Sequence, residues 1–588
     1  MNSKNLSFKV IAVIAILFAL FFFNKMNNVI NEKDMCVCSY DGFGYYMYNA
    51  HLFQEGSYNM TSEWAQQLQN SYCDSQFVYQ LITAKTGNEI NIYHIGLSFV
   101  QLPAYALGEL GARLFNYPTD GFSLPYHLSY LLNVLVFLFV GLIYLRKLLK
   151  LFFEDHIVAL TIAVLFLASN AFITFAYQYS LTHLFLFALN AIFLYHLFHY
   201  CQSKSRKSLI YSAIFLGLTV CIRPTQVILG IIPLFLIFQE NKGDKMSAIK
   251  QLLWFPLFGV IWNIPQLLYW YFIGGKVILP NLHTEEIVLI DPNFFDFLFS
   301  YKKGWLLYSP IFLLLILGFV NLYRSKRSFF WMAIVTAFIY IFVMCSWECW
   351  WYASSFGSRV MVDIYPFLAI VLGYAFLLSK RKTHLLLVAI YCGLCSVLSI
   401  TQSYQFQQSI LDHERMTKEH YWYIFGKTSI DKYSAIRLEI DRNSTSWIHD
   451  LEHYSNVGIA SKKSTVLAIQ DTLIALPTQD LDIDKFELLS RVPTDETCFL
   501  VSFDAKTSDS TKSSILRLET VSKFNCYSWD NIEVSLNGVQ NQFTHYELTF
   551  NLRNLRHSKD KMQIYVDNDH EVTIEIANLK IEAISLVR

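Results

Sequence analysis

One acid within a run of tyrosines and glycines is the first stretch of the chain suited to chemistry. Residues 36–48 read Cys-Val-Cys-Ser-Tyr-Asp-Gly-Phe-Gly-Tyr-Tyr-Met-Tyr and follow the first long apolar run. The acid is Asp41, and the glycines just after it favour a sharp turn and close approach of a ligand. The rings of Tyr45 and Tyr46 offer apolar faces with a polar rim, which suits sugar rings. The structural alternative is an interfacial aromatic belt with a turn.

The composition indicates a polytopic membrane protein with room for more than one domain. Of the 588 residues, 54% are hydrophobic and only 16% are charged, against about a quarter charged in soluble proteins. The formal net charge is zero, so nothing favours nucleic acid as a partner. The CxxC at Cys392 and Cys395 lies inside an apolar run, where core packing is expected. No cofactor is predicted, and the need for a divalent metal stays open.

The apolar runs and basic loops predict about eleven membrane spans. The first run, 7–24, is an anchor with a cytoplasmic N-terminus, because Lys4 and Lys9 lie at its start. All the basic loops fall in the cytoplasm only if the less apolar run 93–115 does not cross, so we expect a re-entrant or interface-lying helix there. The ten other runs of roughly spanning length are 127–146, 157–176, 183–200, 208–222, 225–239, 250–272, 305–323, 329–347, 361–379 and 383–401.

Several residues on the predicted outer face suit anion or sugar binding. Arg223 has apolar runs on both sides, and a charge at membrane depth is usually functional or paired, with snorkelling as the alternative. Arg359 ends a loop with three tryptophans, and because an anchor belt needs no arginine we favour a binding role there. For His183 the favoured interpretation is a packing role. For Lys302 and Lys303 it is plain contact with lipid headgroups. The binding candidates are Tyr45, Tyr46, His94, His183, Arg223, Lys302, Lys303, Trp347, Trp351 and Arg359.

An outward-facing acid, several cations and many aromatic residues fit transfer of a sugar from a polyprenyl phosphate. Asp41 is expected to take the proton of an acceptor hydroxyl as that hydroxyl attacks the anomeric carbon. Arginine or lysine is expected to stabilise the leaving phosphate. Two alternatives come from other classes of protein: a transporter or flippase of lipid-linked glycan, and a sugar-binding membrane protein without catalysis. A transporter should show repeated halves with broken helices, and no clear internal repeat is present.

The chain resembles the GT-C superfamily of membrane glycosyltransferases, near the protein O-mannosyltransferases and the aminoarabinose transferase of lipid A. The resemblance covers roughly residues 1–425 and rests on the acid motif Tyr-Asp-Gly-Phe-Gly-Tyr-Tyr in a long first external loop, with an expected interface helix after it. It implies Asp41 as catalytic base of an inverting transfer, and a donor-phosphate contact for His94. Protein mannosyltransferases have Glu directly after the Asp, and Gly42 here argues against mannose and against a protein acceptor.

The same resemblance extends to a bacterial subgroup of GT-C-like proteins. It implies a polyprenyl-phosphate sugar donor, a glycan, lipid or protein acceptor, and contact with membrane lipids in the bacterial cytoplasmic membrane. The segments that carry it are Tyr93-His-Ile-Gly96, Asp120-Gly-Phe-Ser-Leu-Pro125, Ser180-Leu-Thr-His183, Arg223-Pro224, Pro265-Gln-Leu-Leu-Tyr-Trp270, Lys303-Gly304 and Phe356-Gly-Ser-Arg359.

Other acids and thiols of the first external loop have weaker functional signals. Asp74 and Glu89 are candidates for a second carboxylate or a metal ligand, but solvated loop acids are commoner. Cys36, Cys38 and Cys73 all lie outside the cytoplasm in this topology, where a disulfide from Cys73 to one of the other two is expected to be stable. One free thiol is then left over.

The C-terminal part predicts a separate β domain outside the cytoplasm. From about residue 445 the chain turns polar, and later it alternates with the period of a strand, as an antiparallel sandwich requires. It resembles a jelly roll of the carbohydrate-binding type, and a lid or scaffold that binds no sugar is the alternative. The predicted division is a transmembrane domain over 1–402, an amphipathic connector over 403–444 and the sandwich over 445–588.

Overall fold

The structure, a computed structural model, falls into two compact units. One is Met1–Glu414 with Gly426–Thr428, and the other is Arg415–Phe425 with Ser429–Arg588. The predicted bounds at 402 and 444 differ from this division and stay predictions. The structure describes residues 5–31, 38–73, 78–279, 287, 289–290, 292–347, 349–377, 382–430, 434–438, 461–475, 481–487, 497–507, 513–521, 526–535, 542–550, 561–567 and 574–587.

The first unit is almost entirely helical. Its long apolar runs form helices because a helix satisfies its own backbone hydrogen bonds where no water is at hand. Two three-residue strands, β1 (Leu81–Thr83) and β2 (Glu89–Asn91), pair antiparallel in the first loop, residues 38–95.

Eighteen α-helices make up the described part of this unit. They are α1 Leu6–Ile30, α2 Asp41–Glu55, α3 Ser62–Tyr72, α4 Gly96–Phe115, α5 Leu124–Lys150, α6 Asp155–Leu167, α7 Ala171–Tyr177, α8 Thr182–Ser203, α9 Arg206–Ile222, α10 Ile231–Glu240, α11 Lys245–Leu252, α12 Trp254–Gly274, α13 Phe294–Phe299, α14 Trp305–Tyr308, α15 Leu315–Ser325, α16 Arg327–Cys345, α17 Tyr365–Phe376 and α18 Lys382–Gln407. Three 3₁₀ segments complete it, Pro224–Gly230, Pro310–Leu314 and Arg359–Ile364.

Seven helical segments of the described chain are long and apolar enough to cross a membrane, or up to eight if α6 and α7, bent by 57°, form one span. Pro224–Glu240 and Pro310–Ser325 are shorter apolar segments. The count of about eleven spans and the interface position of α4 stay predictions. The seven are Leu6–Ile30, Leu124–Lys150, Thr182–Ser203, Lys245–Gly274, Arg327–Cys345, Arg359–Phe376 and Thr383–Gln407.

The first loop is fixed to the helices at the start of α4. A Cβ on Gly96 would lie 2.4 Å from the backbone of Cys221, so only glycine allows α4 to approach the end of α9 this closely. The Ile95 amide donates to Gln266 Oε1 at 2.7 Å, and the Asn91 amide donates to the hydroxyl of Tyr269 at 2.8 Å. Both acceptors are on α12, so α12 positions the chain that leads into α4.

The second unit contains a short helix, α19 (Lys418–Ile424), and two four-stranded antiparallel sheets. The sheet orders are β3-β10-β5-β8 and β4-β9-β6-β7, so successive strands often change sheet. Alternate residues of β5 from Phe499 to Ala505 are buried, as the strand period predicts. The strands are β3 Ser461–Ala475, β4 Leu481–Glu487, β5 Thr497–Thr507, β6 Ser513–Val521, β7 Cys526–Ser535, β8 Thr544–Phe550, β9 Lys561–Asp567 and β10 Ile574–Val587.

Strands β5 to β10 lie in the later stretch, where the sequence alternates with the period of a strand, whereas β3 and β4 lie in the earlier stretch that the sequence showed only as polar. The sandwich packing of the two sheets and sugar binding by this unit stay predictions.

Candidate functional site

Asp41 is the first residue of α2, where the helix N-terminus stabilises a negative charge. Its Oδ1 accepts hydrogen bonds from the hydroxyls of Tyr79, at 2.6 Å, and Tyr93, at 2.7 Å. Its Oδ2 lies 3.4 Å from Nη2 of Arg359. The carboxylate keeps 31% of its side-chain surface exposed, so a substrate can still reach Oδ2. We call Asp41 and these three partners the acid site.

The glycines next to Asp41 make room for protein side chains. Gly42 and Gly44 are helical residues of α2, so the expectation that they form a sharp turn is wrong. A Cβ on Gly42 would lie 2.7 Å from Cβ of Ser180. A Cβ on Gly44 would lie 2.2 Å from the ring of Tyr93. The second contact matters more, because the Tyr93 ring carries a hydroxyl that holds Asp41.

Replacing Gly44 by alanine is therefore expected to impair the acid site. Displacing the Tyr93 ring should destabilise the fold by about 1–3 kcal/mol, a usual cost of overpacking, and should weaken the hydrogen bond to Asp41. The matched control is Gly259→Ala, in α12, where a Cβ meets nothing within 4 Å. Thermal unfolding of both purified variants checks this prediction. Equal midpoints for the two variants would contradict it.

The charged surroundings hold Asp41 ionised. Burial opposes ionisation, but Arg359, the hydroxyls of Tyr79 and Tyr93, and finally Arg223 outweigh it, so the pKa of Asp41 lies below its usual range. A depressed carboxyl pKa stabilises the fold above the unfolded value, about 3.9. That contribution is lost as the pH falls through the folded pKa. At neutral pH the group is a carboxylate, able to accept a proton.

A second carboxylate, Asp363, is completely buried in the 3₁₀ segment before α17. Nδ1 of His183 lies 2.7 Å from its Oδ1. Its Oδ2 lies 3.5 Å from Nη1 of Arg223 and accepts from Nε2 of Gln226 at 3.4 Å. The backbone carbonyl of Asp363 accepts from Asn190 at 2.8 Å. This buried cluster joins α8, the end of α9 and the segment that follows Arg359.

Arg223 links the buried cluster to the acid site. It follows the last residue of α9 and has extended backbone angles, φ −142° and ψ 113°, because Pro224 disfavours the helical conformation in the residue before it. Its guanidinium carbon lies 5.9 Å from the ring centre of Tyr352. Arg223 and Arg359 both lower the pKa of Asp41, so two cations converge near one carboxylate. Tyr45 lies among these charges, and burial first of all raises its pKa to about 12.

Arg359 has unused hydrogen-bonding capacity. Its contacts to Asp41 and to the carbonyl of Ser354 are both 3.4 Å, longer than a usual hydrogen bond. Its Nε is buried and has no hydrogen-bond partner among the described residues. A planar guanidinium with free donors is suited to bind a phosphate.

Lys303 holds the loop that carries Arg359. Its amine is buried and donates to the backbone carbonyls of Ser355 and His413. The hydroxyl of Ser358 donates back to the carbonyl of Lys303 at 3.0 Å. Burial lowers the pKa of the amine to about 7. These contacts make Lys303 a support of the loop, and its predicted substrate contact stays a prediction.

Five other predicted binding residues make packing contacts. Tyr46 donates its hydroxyl to a backbone carbonyl at 2.9 Å and lies among aromatic rings. His94 packs on a tryptophan of α12 at 5.5 Å. The amine of Lys302 lies 4.6 Å from the ring centre of Trp351. Trp347 packs on a tyrosine ring at 4.6 Å. Their role in substrate binding stays a prediction.

Some site residues were outside the predicted set. Asp363 had a signal, since it is an acid within the apolar run 361–379. The positions of Tyr79 and Tyr93 in the sequence carry no such signal, because only the fold of the loop brings their hydroxyls to Asp41. Glu89 accepts from the Ser62 amide and hydroxyl at the start of α3, which is a capping role.

The cysteines of the first loop are in different states. Cys73 is disulfide-bonded and Cys38 is a free, buried thiol, while Cys36 and Asp74 lie outside the described residues. Within the described ranges, no group of three or more His, Cys, Asp or Glu side chains is arranged to hold a metal ion.

Comparison with known proteins finds likeness only among solved structures. No protein-family model and no curated protein matches the chain. One similar structure is the archaeal oligosaccharyltransferase AglB from Archaeoglobus fulgidus in complex with an inhibitory peptide and a dolichol-phosphate, at TM-score 0.42 and 11% identity, over 71% of this chain and 57% of that one. Another is an oligosaccharyltransferase of the same organism in the apo form, at TM-score 0.42 and 10% identity, over 73% and 60%.

The chain thus spans less than two thirds of the length of these two structures. Likeness of this degree assigns neither activity nor ligand to it.

Proposed function

We propose that this chain is a membrane glycosyltransferase that moves a sugar from a polyprenyl-phosphate donor to an acceptor hydroxyl outside the cytoplasm. The observation that carries the proposal is the acid site, in which an ionised Asp41 has one oxygen held by two tyrosine hydroxyls and the other facing Arg359. The resemblance of the sequence to the GT-C superfamily supports the same reaction class. It also supports placing the protein in the cytoplasmic membrane of a bacterium.

The two oxygens of Asp41 have different tasks in this proposal. Oδ1 is fixed by Tyr79 and Tyr93, which set the orientation of the carboxylate. Oδ2 accepts the proton of the acceptor hydroxyl while the hydroxyl oxygen bonds to the anomeric carbon. The bond from that carbon to the donor phosphate breaks in the same displacement, and the electron pair leaves with the phosphate. Attack from the face opposite the phosphate inverts the anomeric centre.

The arginines serve the leaving group. Negative charge on the phosphate grows as the glycosidic bond breaks, and cations preorganised near that position lower the barrier. Arg359 has a buried Nε without a described partner, and Arg223 lies near Asp41 with its position set by Asp363. Tyr45 is buried near these charges and packs on the ring of Tyr93 at 4.8 Å, and in this proposal it shapes the sugar side of the site.

A transfer assay tests the proposal directly. Membranes with the full chain are incubated with a panel of polyprenyl-monophosphate sugars, each labelled in the sugar, and are compared with membranes that lack the chain. The expected result is chain-dependent movement of label from at least one donor to lipid, glycan or protein, with an inverted anomeric centre in the product. Donor binding without turnover across the panel would favour a transporter or a binding protein and contradict the proposal.

Removing the charge of Arg359 should change the pH dependence of transfer. Arg359 lowers the pKa of Asp41, so Arg359→Gln should raise that pKa and move the acid limb of kcat/KM to higher pH. Losing a cation at the leaving phosphate should also cut the rate by about 10²-fold. Arg359→Lys is the charge-preserving control and should keep the acid limb near its original pH. If the acid limb of kcat/KM stayed at its original pH in Arg359→Gln, Arg359 would not influence the pKa of Asp41.

A further inference from the structure

A second candidate site lies at the opposite, predicted cytoplasmic, side of the first unit. A cleft of about 490 Å³ opens where α8 ends, α9 begins and α11 leads into α12. Lys204, Arg206 and Lys250 line it together with Trp254 and leucines. We call it the basic cleft. Basic pockets between membrane helices on the cytoplasmic side are suited to anionic lipid headgroups.

The positive charge of the basic cleft is only partly balanced. Lys204 pairs with Glu240. Arg206 and Lys250 form no ion pair with any residue that the structure describes, and the guanidinium carbon of Arg206 lies 5.8 Å from the ring centre of Trp254. Two uncompensated cations therefore line one cavity, which favours an anion inside it.

The polar wall adds neutral donors to these charges. The amide of Gln251 accepts from the hydroxyl of Tyr200 and donates to Oγ of Ser247 at 3.1 Å, so the Ser247 hydroxyl proton is free to point into the cleft. Arg206 is the first residue of α9, and the preceding Ser205 makes no side-chain cap. This wall thus combines the neutral groups Ser247 and Gln251 with the cations Arg206 and Lys250.

The remaining wall is apolar and exposed. Leu253 and Leu257 are 58% and 47% exposed. They belong to the apolar segment Lys245–Gly274, of which only 11% of the most apolar window is buried within the protein. In a membrane such a surface faces acyl chains. A soluble phosphate would leave this surface uncovered, whereas a phospholipid would cover it with its tails.

We infer that the basic cleft binds an anionic phospholipid of the cytoplasmic leaflet, with its phosphate between Arg206 and Lys250 and its acyl chains along Leu253 and Leu257. The site is remote in sequence from Asp41, and the inference does not depend on the proposed transfer reaction. Arg223 follows the far end of α9. A lipid bound at the start of α9 would therefore make the position of this helix depend on the lipid composition of the membrane.

Lipid binding by the full-length protein tests this inference. The protein is delipidated in detergent and titrated with phosphatidylglycerol or phosphatidylcholine, and bound lipid is counted by native mass spectrometry. Wild type is expected to prefer phosphatidylglycerol. Arg206→Gln with Lys250→Gln should lose about thirtyfold in affinity for it, at roughly 1 kcal/mol for each charge. Arg206→Lys with Lys250→Arg should keep most of the preference.

The matched control removes two exposed cations from the same predicted face outside the cleft, Lys207→Gln with Arg324→Gln. It should bind phosphatidylglycerol like wild type. If the control lost as much affinity for phosphatidylglycerol as Arg206→Gln with Lys250→Gln, the effect would come from general surface charge. That result would overturn the proposed site. Full displacement of the lipid by soluble glycerol phosphate would show that the acyl wall contributes nothing, which overturns the lipid assignment. Absence of any preference for phosphatidylglycerol in wild type would overturn it as well.

Discussion

Asp41→Asn should reduce transfer by about 10²–10⁴-fold, the usual contribution of a positioned general base. Asparagine has nearly the same shape, and its Oδ1 can still accept from Tyr79 and Tyr93, so the fold of the loop should persist. It cannot take a proton from the acceptor, and it presents no negative charge to Arg359. Binding of the polyprenyl-phosphate donor should survive, because the phosphate is assigned to the arginines.

The chain contains its own control for this substitution. Asp120 opens a second Asp-Gly-Phe tripeptide, but its Oδ1 accepts from the backbone amides of Phe122 and Ser123, at 2.9 and 2.8 Å. Asp120→Asn keeps that acceptor, and the contact it changes, from the Tyr72 hydroxyl to Oδ2, lies outside the acid site. Transfer should therefore stay within about threefold of wild type.

Turnover and donor binding are measured side by side in the two variants and wild type. Loss of turnover only in Asp41→Asn, with donor binding retained, is the expected outcome. Equal turnover in Asp41→Asn and wild type would remove Asp41 from the chemistry. Loss of both turnover and binding in Asp41→Asn would make the carboxylate a structural partner of Arg359 instead.

The sequence alone singles out Asp41, Arg223 and Arg359 as candidates, because local chemistry marks them. Asp41 is the only acid in its aromatic stretch, and Arg223 is a charge between apolar runs. Such residues are rare enough in a membrane protein to stand out without any knowledge of the fold. The structure then brings Arg223 and Arg359 to the same carboxylate, although Arg359 is separated from Asp41 by 318 positions.

Partners defined by the fold could not be found in this way. Tyr79 is one of 36 tyrosines, and only the packing of the first loop distinguishes it from Tyr46, which turns towards an aromatic cluster. Lys303 looked like a headgroup contact because lysines at a membrane face usually are. Its burial against two backbone carbonyls depends on the segment around His413, which is far along the chain.

The apolar runs coincide with helical segments, but several runs are broken, as 157–176 is into α6 and α7 with a bend of 57°. The run predicted over 383–401 continues to Gln407, because polar residues such as Gln402 and Gln405 are buried in α18 rather than ending it. The early strands β3 and β4 were missed because a continuous apolar run, Val466-Leu-Ala-Ile469, interrupts the alternation of β3, and the alternation of β4 breaks after Asp484. Pairing with strands far along the chain, β10 for β3 and β9 for β4, stabilises these two strands where local periodicity is weak.

The second large effect is expected at Asp363, where a single substitution should destabilise the protein. Asp363→Leu removes the buried partner of Arg223 and His183. Breaking a fully buried ion pair from one side costs about 3–5 kcal/mol. Because Arg223 keeps 23% of its side-chain surface exposed and lies near Asp41, the cost here should fall at the lower end of that range. Arg223 would also lose the contact that sets its position, so transfer should fall together with stability.

A double variant separates these two consequences. Arg223→Met with Asp363→Leu replaces the pair by apolar side chains of similar size, which is often neutral or stabilising for the fold. Its unfolding midpoint in detergent should therefore return most of the way to wild type. Its transfer rate should stay low, because the cation assigned to the leaving phosphate is absent. Arg113→Met, which breaks an exposed pair with Glu109, is the control and should cost less than about 1 kcal/mol.

The outcome of the double variant decides what the buried cluster is for. Recovery of stability without transfer would assign Arg223 to the reaction and Asp363 to its positioning. Recovery of both stability and transfer would mean that Arg223 and Asp363 serve only packing, and that Arg359 alone stabilises the leaving phosphate. No recovery of stability would mean that Asp363 is needed chiefly by His183 and Gln226, which it also joins across α8 and the end of α9. Arg223 would then stand near Asp41 for a reason independent of Asp363.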